Sequence, residues 1–336
     1  MPLTIRSVKL IIQIPCFNEA QTLPDTLAGL PTYIPGIDRL ETMVIDDGSQ
    51  DDTVAIAKSL GVDHIICHPQ NRGLAQAFQT GLDTCLRLGA DVIVNTDADN
   101  QYPGHFIPDL VAPVMRDKAD IVIGNRQVAV IPHFSPVKKA LQKLGSWTVR
   151  TVSGTAVPDA ASGFRAYSRE AALRLNILTR YSYTLETIIQ AGKLGLSIQS
   201  VPIETNAPTR PSRLQRNMWH FVKAQGSTVI RLYAFYEPLR TFSYMAAPFL
   251  VVGLGAWLRF LYFYITRQNP AGHVQSLTIG TGLILVGVIT LLFGVQADIT
   301  SKHRQLTQET LYRLKKMEIE SLAQTVDRPL RPEDNR

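Results

Sequence analysis

Acidic side chains recur directly behind the apolar runs of this sequence. Ile14 is followed by Pro15-Cys16-Phe17-Asn18-Glu19, and Ile45 by Asp46-Asp47-Gly48-Ser49 with Asp51 and Asp52 close behind. The run Val92 to Thr96 is followed by Asp97-Ala98-Asp99-Asn100-Gln101. Carboxylates gathered in one crevice repel each other unless a cation or a hydrogen-bond donor meets them. A divalent ion with a nucleotide is the simplest answer, and hard oxygen donors select Mg2+ or Mn2+. Aspartate is also a frequent turn and helix-cap residue. That is the reading for Asp51 and Asp52, ahead of a helix expected from Thr53. Asp97 and Asp99 differ because they directly follow an apolar run of strand character.

The elements that must position these residues are legible as an alternation. Short apolar runs occupy Val8–Ile14, Leu40–Asp46, His64–Cys67, Asp91–Asp97 and Asp120–Gly124. Between them, Thr22–Leu30, Thr53–Leu60, Gly73–Leu88 and Pro103–Lys118 have helical patterning. Such alternation implies an α/β fold, a mostly parallel sheet covered by helices on both faces. Sheets of this kind take ligands at the carboxyl ends of their strands, where the three acidic turns are expected to converge.

The segments IPCFNEA, VIDDGSQDDT, NRGLAQAFQTG, NTDADNQYP, IVIGNR and SGFRAYSREAALRL, in this order and spacing, resemble family 2 glycosyltransferases of the GT-A (Rossmann-like) fold. The likeness extends to the branch that makes dolichyl- and polyprenyl-phosphate sugars, and covers about residues 8–205. It implies that Pro15, Phe17 and Glu19 line the nucleoside pocket and that Ile45 and Asp47 meet the base. Asp97, Ala98 and Asp99 would hold metal and diphosphate, with Gln101 beside them. Arg126 would reach a donor or acceptor phosphate. Asp159 matches the place of a catalytic carboxylate, and Arg165 accompanies it, with a structural salt bridge as the competing role. Arg72 is either a phosphate-neutralising side chain or a surface residue beside a helix cap. The usual turn reads Asp-Ala-Asp-Leu-Gln, and here Asn100 replaces the leucine.

Two apolar stretches mark the C-terminal part. Ser243–Thr266 carries one charge, Arg259, and Leu277–Ala297 carries none. At 1.5 Å per residue each is long enough for a bilayer core of about 30 Å. Lys223, Arg231 and Arg240 precede the first stretch, and Lys302, Arg304, Arg313, Lys315 and Lys316 follow the second. The positive-inside rule then puts both termini in the cytoplasm and the short link outside, with Arg259 snorkelling to the outer interface. No signal peptide is read at the N-terminus. Leu214, Met218 and Val222 recur every four residues among Arg210, Arg213 and Arg216, the pattern of an interfacial helix lying among headgroups. The resemblance gives Arg210 and Arg213 a part in meeting donor diphosphate or lipid phosphate. The expected organisation is a catalytic domain at 1–205, interfacial helices at 206–242, a transmembrane hairpin at 243–297 and a basic tail at 298–336. His133–Arg150 reads either as a second membrane-facing helix or as a core helix with a charged outer face.

The 336 residues carry a net charge of +6. The basic residues cluster beside the apolar spans, which disfavours nucleic acid as partner. Three well-separated cysteines lack CxxC spacing, so neither a disulfide framework nor a zinc site is expected. IPCFNEA lacks the Gly-x-Gly-x-x-Gly loop of dinucleotide enzymes. The resulting expectation is an inverting transfer from a nucleotide sugar, of GDP-mannose or UDP-glucose type, to polyprenyl or dolichyl phosphate. A neutral lipid or glycan acceptor is the alternative within the same chemistry, and a non-enzymatic membrane scaffold the alternative outside it. Gly253 with Gly255, or Gly280 with Gly282, leave packing against neighbouring helices and a homo-oligomer open.

Overall fold

The computed structural model describes residues 7–127, 146–147, 149–150, 153–177, 183–206, 236–266 and 274–326. It forms two units, one of residues 1–220 with 309–336, the other of residues 221–308.

The first unit is built on a seven-stranded sheet. Its strands are β1 (Lys9–Cys16), β2 (Arg39–Asp46), β3 (His64–Cys67), β4 (Val92–Asn95), β5 (Ile121–Asn125), β6 (Arg165–Ser168) and β7 (Ile198–Pro202). They lie in the order β3-β2-β1-β4-β6-β5-β7. All neighbours are parallel except β6, which runs antiparallel to both β4 and β5. The first four helices are α1 (Leu23–Ala28), α2 (Thr53–Ser59), α3 (Leu74–Arg87) and α4 (Ile107–Met115). α5 (Arg169–Arg174) and α6 (Tyr183–Leu194) flank the region between β6 and β7.

From Leu10 onward every residue of β1 is buried, which is why it reads as a continuous apolar run. Its core partners include Val44, Val92, Val94, Leu110, Val122 and Phe164. β1 has β2 on one side and β4 on the other, so the strand order reverses there. The carboxyl ends of β1 and β4 therefore border the crevice that such a reversal opens. One close approach shapes the rim: a side chain at Gly104 would sit 2.2 Å from the Gly29 carbonyl oxygen, so the segment entering α4 crosses the end of α1 only because that residue is glycine.

Two further helices are α7 (Pro238–Ile265) and α8 (Val274–Val326). Both are long and apolar enough to cross a membrane, with mean hydropathies of 1.6 and 2.2, and only 11% and 17% of their most apolar windows are buried. Core helices of a soluble protein would be largely covered, whereas Trp257, Leu254, Leu285 and Phe293 here are exposed. In the second unit the two helices touch through glycines. Side chains at Gly253 and Gly280 would collide with the opposing backbone at 2.9 Å, and Trp257 donates to Thr281. Gly255 and Gly282 face open space and take no part in this contact.

The expected basic tail is helical as far as Val326. Within the first unit, its residues from 309 onward pack on α3 and α5. Lys315 pairs with Asp83 at 2.7 Å, Glu318 with Arg87 at 3.0 Å, and Tyr312 donates to Glu170 beneath the Arg174 guanidinium. The segment with Arg210 and Arg213, expected as an interfacial helix, and most of the His133–Arg150 segment lie outside the described residues.

Candidate active site

The acidic turn after β2 is turned to structural use. Asp47 is buried, and its carboxylate accepts from the Arg72 and Gly73 amides at 2.9 and 2.8 Å and contacts His68 Nδ1 at 2.7 Å. Asp46 accepts from the Ser49 amide, and Asp51 from the amides of Thr53 and Ala20 and from the Thr53 hydroxyl. These carboxylates latch the loops after β1, β2 and β3 together. Gly48 makes the latch possible, since a side chain there would meet the Gln70 and Asn71 backbone within 2.9 Å. The expected convergence of three acidic turns is thereby reduced to two. Asp52 stands at the N-cap of α2 without a side-chain cap bond, and Asp51 does that work from one position earlier.

Glu19, Asp97 and Asp99 remain as the group that faces the crevice. Among the described residues no hydrogen bond reaches the Asp97 carboxylate. Burial, with Asp99 and then Glu19 adding repulsion against the pull of Arg126 and Arg165, holds its pKa up at about 7. Asp99 accepts from the Gln101 amide, while Thr26 on α1 donates to the Ala98 carbonyl. Asn206, beyond β7, donates to the carbonyls of Asn100 and Gln101. Asn100 adopts φ 55°, a left-handed conformation asparagine tolerates and leucine resists. The replacement of the usual leucine thus suits the backbone.

Behind the turn runs a buried polar chain that sequence reading missed. Gln13 on β1 donates to Asn95 on β4, and Asn95 donates to the Gly163 carbonyl and the Tyr183 hydroxyl. A side chain at Gly163 would lie 2.6 Å from the Tyr183 hydroxyl and 3.0–3.1 Å from both Asp97 oxygens. The only signal in the sequence was the polar residue set into each apolar run, Gln13 and Asn95.

Arg126 and Asp159 meet each other. The guanidinium donates through Nε to Oδ2 at 2.7 Å and through Nη2 to Oδ1 at 2.9 Å, and both side chains are buried. Burial opposes the arginine's charge, but Tyr102, Asp159 and Asp97 outweigh it and raise its pKa. Tyr102 stacks on Phe164, accepts from the Gly163 amide, and is pushed up to about 12 chiefly by burial. Arg165 is fully buried and has no carboxylate partner among the described residues; it donates to the carbonyls of Ser162 and Ala160 and to the Thr187 hydroxyl. The expected alternative of a salt bridge at Arg165 is replaced by this three-acceptor fork. Of the nucleoside-pocket candidates, Phe17 is exposed at the end of β1, while Pro15 and Ile45 are buried within their strands.

A mostly parallel sheet with one reversed strand, carrying an Asp-x-Asp turn at its point of strand-order reversal, defines a GT-A glycosyltransferase. Residues 11–175 match glycosyl transferase family 2. A UDP-N-acetylglucosamine–dolichyl-phosphate N-acetylglucosaminyltransferase of Methanococcus voltae is 31% identical over 217 residues, 57% of this chain and 83% of that protein. A polyprenol monophosphomannose synthase of Mycolicibacterium smegmatis is 28% identical, over 60% of this chain and 79% of that one. The fold also matches glucosyl-3-phosphoglycerate synthase of Mycobacterium tuberculosis, solved with Mn2+ and UDP-glucose. There the TM-score is 0.51 and the identity 22%, covering 68% of this chain and 78% of the other. The chain belongs to glycosyl transferase family 2 and is a glycosyltransferase.

Proposed function

We propose that this enzyme transfers a sugar, with inversion, from a nucleotide-sugar donor of GDP-mannose or UDP-glucose type to polyprenyl or dolichyl phosphate at the cytoplasmic face of a membrane. The observation that carries the donor half is Asp97, a carboxylate without a hydrogen bond from the described residues, two residues from Asp99 at the end of β4. Such a pair fits Mg2+ or Mn2+, since oxygen ligands and substrate phosphates are what these ions take. Asp97 and Asp99 would hold the ion, with Gln101 beside them. When bound, it supplies positive charge against the departing diphosphate.

The acceptor half draws support from the two relatives, which act on dolichyl and polyprenol phosphates by name, and from the two apolar helices. It also draws on Asp159. A neutral hydroxyl would need a base to take its proton, and both oxygens of the carboxylate best placed by resemblance are engaged by Arg126. A phosphate monoester needs none, because its second pKa is about 6. Its oxygen forms the bond to the anomeric carbon as the bond to the donor's diphosphate breaks, and the electron pair leaves with the diphosphate. Direct displacement inverts the anomeric centre.

The test is transfer of label from a panel of radiolabelled nucleotide sugars to polyprenyl phosphate by purified protein with Mn2+ or Mg2+, beside Asp99→Ala and an EDTA control. Label in the lipid fraction, lost in both controls, supports the reading and names the donor. Donor hydrolysis without lipid product would move the acceptor to a neutral lipid or glycan. Absence of both turnover and metal-dependent nucleotide binding would end it.

A further inference from the structure

Arg165 is a fully buried charge whose hydrogen-bond partners among the described residues are all neutral. Its guanidinium spans the Ala160 and Ser162 carbonyls on the loop entering β6 and the Thr187 hydroxyl on α6. A guanidinium taken out of water without a carboxylate is costly, and neutral side chains could cap two carbonyls at less cost. What this fork fixes is specific. The loop it spans carries Asp159 at one end, which clasps Arg126, and Gly163 at the other, against which the Asp97 carboxylate packs. Arg165 also stands opposite Asn95 in the sheet, two residues before Asp97, and Asn95 itself donates to the Gly163 carbonyl. The planar fork of arginine presents its donors in one fixed plane, which an ammonium on a flexible stem does not.

We infer that Arg165 is a positioning residue of the transfer reaction: through its three-acceptor fork it sets the Asp159–Gly163 loop, and through Gly163 the placement of Asp97 for metal. The inference rests on the donor-site reading above. It assigns to a residue that touches neither substrate nor metal a measurable share of metal affinity.

The experiment uses full-length protein in detergent and reads Mn2+ binding by electron paramagnetic resonance, with UDP and with GDP, alongside the melting temperature. Arg165→Gln keeps at most part of the fork and should weaken Mn2+ binding about tenfold or more, the range usual for outer-shell groups. Arg165→Lys keeps the charge and should recover only part of the loss. Leu110→Ala, a core truncation in α4, should lower the melting temperature comparably yet leave Mn2+ affinity at the wild-type value. Wild-type Mn2+ affinity in Arg165→Gln would overturn the inference, as would equal weakening in Leu110→Ala. Full recovery in Arg165→Lys would overturn the role of the fork. If Arg165→Gln does not fold, Thr187→Val removes one acceptor and should weaken Mn2+ about twofold or more; unchanged affinity there also overturns the inference. Failure of the wild type to bind Mn2+ with either nucleotide would instead overturn the donor-site reading itself, and this inference with it.

Discussion

Removing Asp159 should destabilise the catalytic unit through Arg126. The pair is bidentate, at 2.7 and 2.9 Å, with side-chain exposures of 9% and 4%. Asp159→Ala leaves a guanidinium buried without its anion, and Arg126→Ala leaves a carboxylate in the same position. Breaking a buried pair from one side costs about 3–5 kcal/mol. In a unit of this size that lowers the melting temperature by roughly 10 °C, at about 2–4 °C per kcal/mol. The double variant loses both charges together and should cost much less than the sum, with a coupling of about 2–3 kcal/mol. Thermal or urea unfolding of the two single variants and the double variant measures this. Additivity, a coupling below about 0.5 kcal/mol, would refute the reasoning, because the two groups would then not depend on each other. The same pairing sets an expectation for catalysis. Asp159→Asn, assayed on polyprenyl phosphate, should lose less than about a hundredfold in kcat, the lower end of what removing a true general base costs.

Other perturbations probe the metal turn and its supports. Gly163→Ala puts a methyl group 2.6 Å from the Tyr183 hydroxyl and about 3 Å from the Asp97 carboxylate. It should cost about 1–3 kcal/mol in overpacking and weaken Mn2+ binding without altering a ligand, as read by Mn2+ titration. The raised pKa of Asp97, about 7, makes metal compete with a proton. Mn2+ affinity should fall about tenfold per pH unit below 7 and level off above it. Without metal, the folded chain keeps that proton at pH values where the unfolded chain has lost it. Its contribution to stability is therefore fully present below 3.8, the usual Asp value, and is lost as pH rises towards 7, which urea unfolding across that range checks. Asp47→Ala frees the Arg72 and Gly73 amides and His68. It should cost about 2–4 kcal/mol and speed proteolysis between Pro69 and Gly73.

Much of this architecture could be read from the sequence, for physical reasons that also mark where reading stopped. β1, β4 and β5 were visible because they are buried along nearly their whole length, Gln13 and Asn95 being lone polar insertions in the first two, and β2 and β3 by the β-branched pairs Val44-Ile45 and Ile65-Ile66. β6 and β7 were not. RAYS opens on an arginine that behaves as a core residue, and IQSVP has only half-buried and exposed positions over a short span. Asp97 and Asp99 were recognisable by their place behind a strand. Asp47 and Asp51 followed strands equally well, yet they bind backbone amides, a choice that depends on loops folded from elsewhere. The helical continuation to Val326 was hidden because charges after Ala297 signal the edge of a bilayer, whereas Lys315 and Glu318 are helical residues paired across to α3.

The reversed direction of β6 has a consequence for how such an enzyme can change. The sheet fixes both ends of the 126–164 segment, since β5 delivers one end and β6 collects the other at the same rim. Changes of length between those anchors need not shift any strand register. Donor chemistry rests on β1, β4 and the segment's own ends, where Arg126 meets Asp159 and Gly163 packs on Asp97, so those ends are inherited with the scaffold. Exchanges between family members should therefore be tolerated only where Arg126, Asp159 and Gly163 keep their places.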